Sequence, residues 1–161
     1  MLHIAPMAAV SDRHWRTLLR CASPAAVVWT EMTWAHSIAD AEPSEAERII
    51  GFSAAEHPVI LQLGGCDAAV LARAAVVGAR RGYDAINLNC GCPAGDQGSA
   101  RTLYGARLMF QPVHVAACCA AMRTALDEAG FTAVPVSVKC RLGVDDRDSY
   151  EQLVEFIQTV A

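Results

Sequence analysis

The sequence predicts an α/β fold in which parallel strands alternate with helices, as in the N-terminal half of a TIM-type (β/α)8 barrel. Short runs that are apolar throughout are typical of strands buried on both faces. Stretches with apolar residues at helical spacing separate these runs. A complete barrel takes about 250 residues, whereas this chain has 161. We therefore expect about four β/α units.

The strand candidates are five short apolar runs. They are Leu2–Ala5, Ala25–Trp29, Val59–Leu63, Ala85–Leu88 and Val134–Val138. None of them alternates strictly between apolar and polar residues, which a strand with one solvent-facing side would do. Each run is therefore expected inside a parallel sheet.

Helix-start signals precede the first three helical stretches. Ser11-Asp12 opens the first, and Ser44-Glu45-Ala46-Glu47 has the pattern of a capping box for the second. Asp67 is placed to cap the third, which is rich in alanine and extends to about Arg80. These signals predict where each helix begins.

The last two helical stretches differ in how they end. Pro112 suits the first turn of a helix that reaches Asp127 and stops at Gly130. The final stretch starts near Asp148-Ser149 and keeps its helical spacing to Ala161 without a stop signal. We therefore expect a chain that ends within a larger fold. A small, complete, doubly wound domain is the alternative.

Composition and charge exclude several classes of protein. Hydrophobic residues make up 53% and charged residues 19%, which indicates a folded chain. The net charge of −4 excludes a histone-like binder of polyanions, but not a nucleic-acid enzyme with local positive charge. No membrane partner is expected, because the longest apolar stretch, Ala68–Ala79, contains Arg73 and is shorter than the roughly 20 residues of a span.

The seven cysteines indicate a reducing, cytoplasmic compartment. Their number is odd and no C-x-x-C pair occurs, unlike in a secreted disulfide scaffold. Cys90 and Cys92 lack the second ligand pair that a structural zinc site needs, so no metal is expected. The histidines are scattered, which disfavours a hydrolase with a cysteine nucleophile.

Polar residues stand at the carboxyl ends of several predicted strands, where α/β proteins place their chemistry. Gln62, Asn87 and Asn89 occupy two of these ends. A buried polar group costs about 1–3 kcal/mol unless it is satisfied, and a bound ligand would satisfy it. The alternatives are purely structural: Gln62 hydrogen-bonds to neighbouring backbone, and the two asparagines only close turns.

Lys139 and Cys92 complete the candidate site. Lys139 is the only lysine of the chain and lies in an apolar run, where it must reach solvent, an anion or an aromatic ring. Arg141, two residues later, is interpreted as more exposed. Cys92 stands between Gly91 and Pro93 after a strand, where a thiol can transfer a proton to a substrate.

At these positions the sequence resembles the tRNA-dihydrouridine synthases, most closely the bacterial-type branch that acts on the D-loop of tRNA. The resemblance extends over nearly the whole chain, in the family's order. The matching segments are Ala5-Pro6-Met7-Ala8 with Val10-Ser11-Asp12-Arg13, Thr30-Glu31-Met32, Gln62-Leu63-Gly64-Gly65, Asn87-Leu88-Asn89-Cys90-Gly91-Cys92-Pro93, Gly105-Ala106-Arg107-Leu108-Met109 and Val138-Lys139-Cys140-Arg141-Leu142-Gly143-Val144-Asp145-Asp146. One departure is Ala9, which stands where the family usually has glycine.

The resemblance implies a flavoenzyme that uses FMN, with NADPH as its reductant. It implies that Gln62 and Lys139 contact the flavin ring system and ribityl chain, and that Asn89 holds the substrate uridine. Cys92 is implied to be the general acid, which protonates C5 of the flipped uracil while reduced flavin delivers hydride to C6. The residues implied to lie against the flavin are Pro6, Met7 and Ala8.

The resemblance also sets the expected domain organisation. Residues 1–161 correspond to the N-terminal part of an FMN-binding TIM-barrel catalytic domain, without the remaining strands and the C-terminal helical tRNA-binding domain. The expected partners are tRNA and either a complementary C-terminal half or an oligomer. The alternatives are an FMN barrel acting on free pyrimidines, like dihydroorotate dehydrogenase, or a non-catalytic fragment.

Overall fold

The computed structural model describes residues 2–93 and 103–161. Within them, five parallel strands form one sheet that curves into half a barrel, with neighbours in the chain also neighbours in the sheet. The strands are β1 (His3–Ile4), β2 (Val27–Trp34), β3 (Val59–Gly64), β4 (Ala85–Cys90) and β5 (Val136–Cys140). A doubly wound domain reverses its strand order at a switch point, so the sequential order excludes that alternative for the described residues.

A helix follows each strand. The helices are α1 (Arg13–Ala22), α2 (Pro43–Ile50), α3 (Ala68–Arg81), α4 (Pro112–Glu128) and α5 (Tyr150–Val160). The predicted half-barrel is confirmed, with five β/α units in the described residues instead of about four. No helix in the described part of the chain is long and apolar enough to cross a membrane.

Most of the predicted helix starts are confirmed by side-chain caps. The Asp12 carboxylate accepts a hydrogen bond from the backbone N–H of Trp15 at the start of α1. Asp67 accepts from two backbone N–H groups at the start of α3, and Ser149 forms a capping box with Gln152 at the start of α5. These caps satisfy donors that lack a partner within the helix.

The predicted capping box at Ser44 is wrong. Helix α2 begins one residue earlier, at Pro43, and its N-cap residue Glu42 makes no side-chain capping bond. Proline fits the first helical position because its fixed φ suits the helix and it has no N–H to satisfy.

The two faces of the sheet differ in chemistry. The outer face packs against α3 and α4 through fully buried aliphatic side chains such as Leu61 and Ile86. Gly78 permits this close approach, because a Cβ there would lie 2.6 Å from Leu61 Cδ2. The inner face is apolar at the amino ends of the strands, where Val27, Ile60 and Ala85 cluster, and becomes polar toward their carboxyl ends.

The edge strands β1 and β5 are not buried on both faces, contrary to the expectation, and β5 shows this most clearly. Along it, half-buried Val136 and Val138 alternate with exposed Ser137 and Lys139. The reason is its position at one edge of the described sheet, where the inner face is open. The apolar sequence alone does not reveal which strand lies at an edge.

A buried ion pair joins α1 to the segment that precedes β3. Arg16 Nε lies 2.6 Å from Glu56 Oε2, and the two residues are only 5% and 1% exposed. Arg16 also donates to the carbonyl of Ser11, whose hydroxyl accepts from the backbone N–H of Met7. The pair therefore also supports the β1–α1 loop.

Replacing Glu56 by alanine is expected to lower the free energy of unfolding by about 3–5 kcal/mol, because it leaves a buried, uncompensated guanidinium. Urea denaturation of the purified chain measures this. The control is Asp40→Asn, which removes an exposed ion pair with Arg73 and should cost less than about 1 kcal/mol. Equal, small losses from both variants would contradict this view of the pair.

Candidate active site

A cavity of about 370 Å³ lies at the carboxyl ends of the strands. Six of the seven predicted site residues line it, namely Pro6, Ala8, Gln62, Asn89, Cys92 and Lys139. The seventh, Met7, is not among the lining residues and is 39% exposed in the β1–α1 loop. The fold thus brings together side chains from separate strands and loops.

Gln62 and Asn89 contribute buried amides to this cavity. Gln62 is 1% exposed; its Oε1 accepts from Asn89 Nδ2 at 2.9 Å, and its Nε2 donates to Asn87 Oδ1 at 2.9 Å. The alternative in which the Gln62 side chain bonds to neighbouring backbone is therefore not what the structure shows. Strand register explains the pairing, because Gln62 lies directly opposite Asn87.

Asn89 closes the turn that carries Cys92. Its Oδ1 accepts hydrogen bonds from the backbone N–H groups of Gly91 and Cys92, each at 2.9 Å. Asparagine commonly closes turns in this way. Asn89 therefore closes a turn, as one of the two predictions has it, and also lines the cavity. The turn fixes the backbone of the half-buried Cys92.

The backbone at Gly105 packs closely against the carbonyl group of the same cysteine. Its φ is +62°, and a Cβ there would lie 2.4 Å from the carbonyl oxygen of Cys92. The next residue, Ala106, donates its N–H to that oxygen at 2.9 Å. A glycine is therefore required at position 105, and the Cys92 backbone is bonded at both its N–H and its carbonyl.

Lys139 reaches the cavity from β5, where it pairs in register with Asn89. It is exposed, and its ammonium has no hydrogen bond or ion pair with any residue that the structure describes. The sequence predicts an interior position for Lys139; this prediction is wrong, because the inner face is open along β5. Among the described residues, none competes with a ligand for this cation.

Two cavity residues, Glu31 and Arg141, were given no role by sequence reasoning. Arg141 is exposed as expected, but its Nε also donates to the carbonyl oxygen of Gly91 at 2.6 Å. Glu31 Oε1 accepts from the N–H of Ala9, which has a φ of +58°. The family's usual glycine suits this left-handed conformation better than alanine.

Two thiols near the sheet are more deeply buried than Cys92. Cys90, on the outer face of β4, and Cys118, on α4, are fully buried. Burial raises the pKa of Cys118 to about 11 and raises the pKa of Cys90 as well. Both thiols are therefore protonated at neutral pH, and neither lines the cavity.

The family model described as Dihydrouridine synthase (Dus) matches residues 3–161. The chain belongs to the dihydrouridine synthase family. This match spans all five β/α units and both sides of the cavity.

Curated relatives agree with this family. A tRNA-dihydrouridine(20/20a) synthase of Xanthomonas campestris pv. campestris is 48% identical over 159 residues, which cover 99% of this chain and 44% of the relative. Proteins with the same name from Synechocystis sp. and Escherichia coli O6:H1 are 44% and 43% identical, over 99% and 98% of this chain and 45% and 44% of the relatives. The chain thus spans less than half the length of these dihydrouridine synthases.

The burial of the thiols predicts how this family member reacts with iodoacetamide at about pH 8. The exposed Cys21 and the cavity residue Cys92 are accessible to the reagent and should be labelled first. The thiolate is the reactive form of a cysteine. Cys118, whose pKa is raised to about 11, should stay mostly unlabelled until the pH approaches that value. Mass spectrometry of the peptides measures each rate; labelling of Cys118 as fast as that of Cys21 would contradict the structure.

Proposed function

We propose that this chain carries the flavin-binding and proton-donating part of an enzyme that reduces uridine to 5,6-dihydrouridine in the D-loop of tRNA. FMN is its cofactor and NADPH its reductant. The observation that carries the proposal is the meeting of Gln62, Asn89, Cys92 and Lys139 at one cavity. The names of the relatives support uridines 20 and 20a as the substrate positions.

The chemistry of the cavity fits a flavin. Pro6, Ala8 and Met32 supply apolar surface for a flat ring system. Gln62 uses one of its two amide hydrogens on Asn87, so the other can bond to a ligand. Together with the Lys139 ammonium, this amide offers donors to the oxygen and nitrogen acceptors at the polar edge of the ring.

In this proposal the β1–α1 loop, with Pro6, Met7 and Ala8, lies against the flavin, and Gln62 and Lys139 hold its polar groups. When bound and reduced, FMN supplies the hydride that saturates C6 of the uracil. Asn89 holds the uracil through its second amide hydrogen. A base flipped out of the tRNA is needed to reach this site.

Cys92 is the proposed general acid. Its S–H proton passes to C5 of the uracil as C6 gains hydride, so the C5–C6 double bond is reduced by one hydride and one proton. Solvent then restores the proton to the thiolate. The Cys92 N–H donates to Asn89 Oδ1, and the Cys92 carbonyl accepts from the Ala106 N–H. These bonds support the role, because proton transfer needs a fixed distance between donor and acceptor.

We further propose that residues 1–161 form the N-terminal part of an FMN-binding TIM-barrel catalytic domain. The remaining strands and the helical tRNA-binding domain are not among them. A complementary C-terminal half or a second copy of the chain is the proposed partner. A tRNA substrate and seven free thiols favour a cytoplasmic location. The family match favours tRNA over the free pyrimidines of the dihydroorotate dehydrogenase-like alternative.

Binding of FMN to the purified chain tests the cofactor proposal. We expect quenching of FMN fluorescence and a changed visible spectrum on titration. Lys139→Met and Gln62→Leu should each weaken binding about tenfold, which corresponds to about 1.4 kcal/mol. The control is Arg48→Met, an exposed cation on α2, which should leave the affinity unchanged. A wild-type chain that binds no FMN would support the non-catalytic fragment instead.

Cys92→Ala tests the general acid. In an active form of the enzyme supplied with FMN, NADPH and tRNA transcripts, we expect dihydrouridine formation to fall at least about 100-fold, the usual contribution of an acid–base group, while FMN affinity is retained. Mass spectrometry of digested tRNA gives the readout. Cys21→Ala is the matched control, because Cys21 is an exposed thiol on α1. Undiminished activity of Cys92→Ala would remove Cys92 from this role.

A further inference from the structure

Four side chains on the inner face of the sheet form a continuous run of hydrogen bonds, which we call the amide chain: Asn89, Gln62, Asn87 and Ser137. Asn89 Nδ2 donates to Gln62 Oε1 at 2.9 Å, and Gln62 Nε2 donates to Asn87 Oδ1 at 2.9 Å. Asn87 Nδ2 donates to Ser137 Oγ at 3.0 Å. The amide chain thus crosses β3, β4 and β5.

Both ends of the amide chain are fixed to backbone. At one end, the N–H groups of Gly91 and Cys92 donate to Asn89 Oδ1. At the other, the Ser137 hydroxyl donates to the carbonyl oxygen of Ile86 at 3.4 Å. Every bond therefore runs in the same direction, from the Cys92 N–H to the Ile86 carbonyl, and bonds in such a series strengthen one another.

This common direction determines which side-chain atoms Gln62 and Asn89 present to the cavity. If the Gln62 amide turned over, its NH2 would face the NH2 of Asn89 and its oxygen would face the oxygen of Asn87. Both contacts would leave buried polar groups unsatisfied, because the three amides are at most 8% exposed. Each of the two cavity amides is therefore held with a remaining N–H that has no partner among residues 2–93 and 103–161 and that a ligand can accept from.

We propose that Asn87 and Ser137, neither of which lines the cavity, are positioning residues. They fix the amide orientation of Gln62 and, through Asn89, the backbone of Cys92. The proposal rests on the proposed function, because it assigns them a task in holding the flavin and the acid. Register supports it, since Asn87 lies opposite both Gln62 and Ser137.

The hydroxyl at position 137 provides a sharp test, because valine and threonine have the same shape. Ser137→Val removes the acceptor for Asn87, whereas Ser137→Thr keeps it. Two readouts are measured on the purified chain: FMN affinity, and the rate at which iodoacetamide labels Cys92 relative to Cys21. Thermal unfolding of each variant is recorded alongside.

With Ser137→Val, we expect FMN affinity to fall about three- to tenfold, the effect of one displaced hydrogen-bonding group. Labelling of Cys92 should rise at least about twofold over that of Cys21, because a loosened turn exposes the thiol. Ser137→Thr should match the wild-type chain in both readouts.

Two results would overturn the proposal. One is Ser137→Val behaving like Ser137→Thr in both readouts. The other is a parallel rise in the labelling of Cys21 and Cys92 with a lower unfolding temperature, which indicates general loosening only. If the wild-type chain binds no FMN, the proposed cofactor site fails, but the labelling of Cys92 still decides whether the amide chain holds the turn.

Discussion

Buried amides on the inner face of a parallel sheet must find partners, and here they find one another. Most backbone groups of β3 and β4 pair in the strand ladder, and the Gln62 N–H donates to Thr30 Oγ1 at 3.0 Å. The side chains of Gln62, Asn87 and Asn89 therefore need other donors and acceptors. Their mutual hydrogen bonds satisfy this need and leave one N–H each on Gln62 and Asn89. The cavity chemistry follows from this constraint, because Asn89, oriented by these bonds, also accepts from the N–H groups of Gly91 and Cys92 and so closes the Cys92 turn.

The packing below the cavity supports the same arrangement. Leu61 and Ile86, on the opposite face of β3 and β4, are fully buried under α3. This packing fixes the strand register, and a shift of one residue would move the amides to the helix side. The buried pair of Arg16 with Glu56 adds a second support through Ser11. Site geometry therefore depends on ordinary core packing as much as on the polar groups.

Much of the fold could be predicted from the sequence because its signals are local. The caps at Asp12 and Asp67, and the helix that begins at Pro112, involve neighbours in the chain. Features set by distant residues could not be predicted. The open inner face at Lys139 depends on which strand lies at the edge, and the bond from Arg141 to Gly91 joins residues 50 positions apart. Polar residues at the predicted strand ends pointed to Gln62, Asn89, Cys92 and Lys139, and the family resemblance added the β1–α1 loop and the roles of these residues, which remain predictions.

Nuclear magnetic resonance signals of the side-chain amides, followed while FMN is added to the chain, show directly whether these amides contact the flavin. Gln62 and Asn89 should shift, because their free N–H groups face the ligand, whereas Gln111 and Gln152, which do not line the cavity, should stay in place. Shifts confined to Gln111 and Gln152, with Gln62 and Asn89 unmoved, would contradict the claim that the amides on the inner face of the sheet hold the flavin.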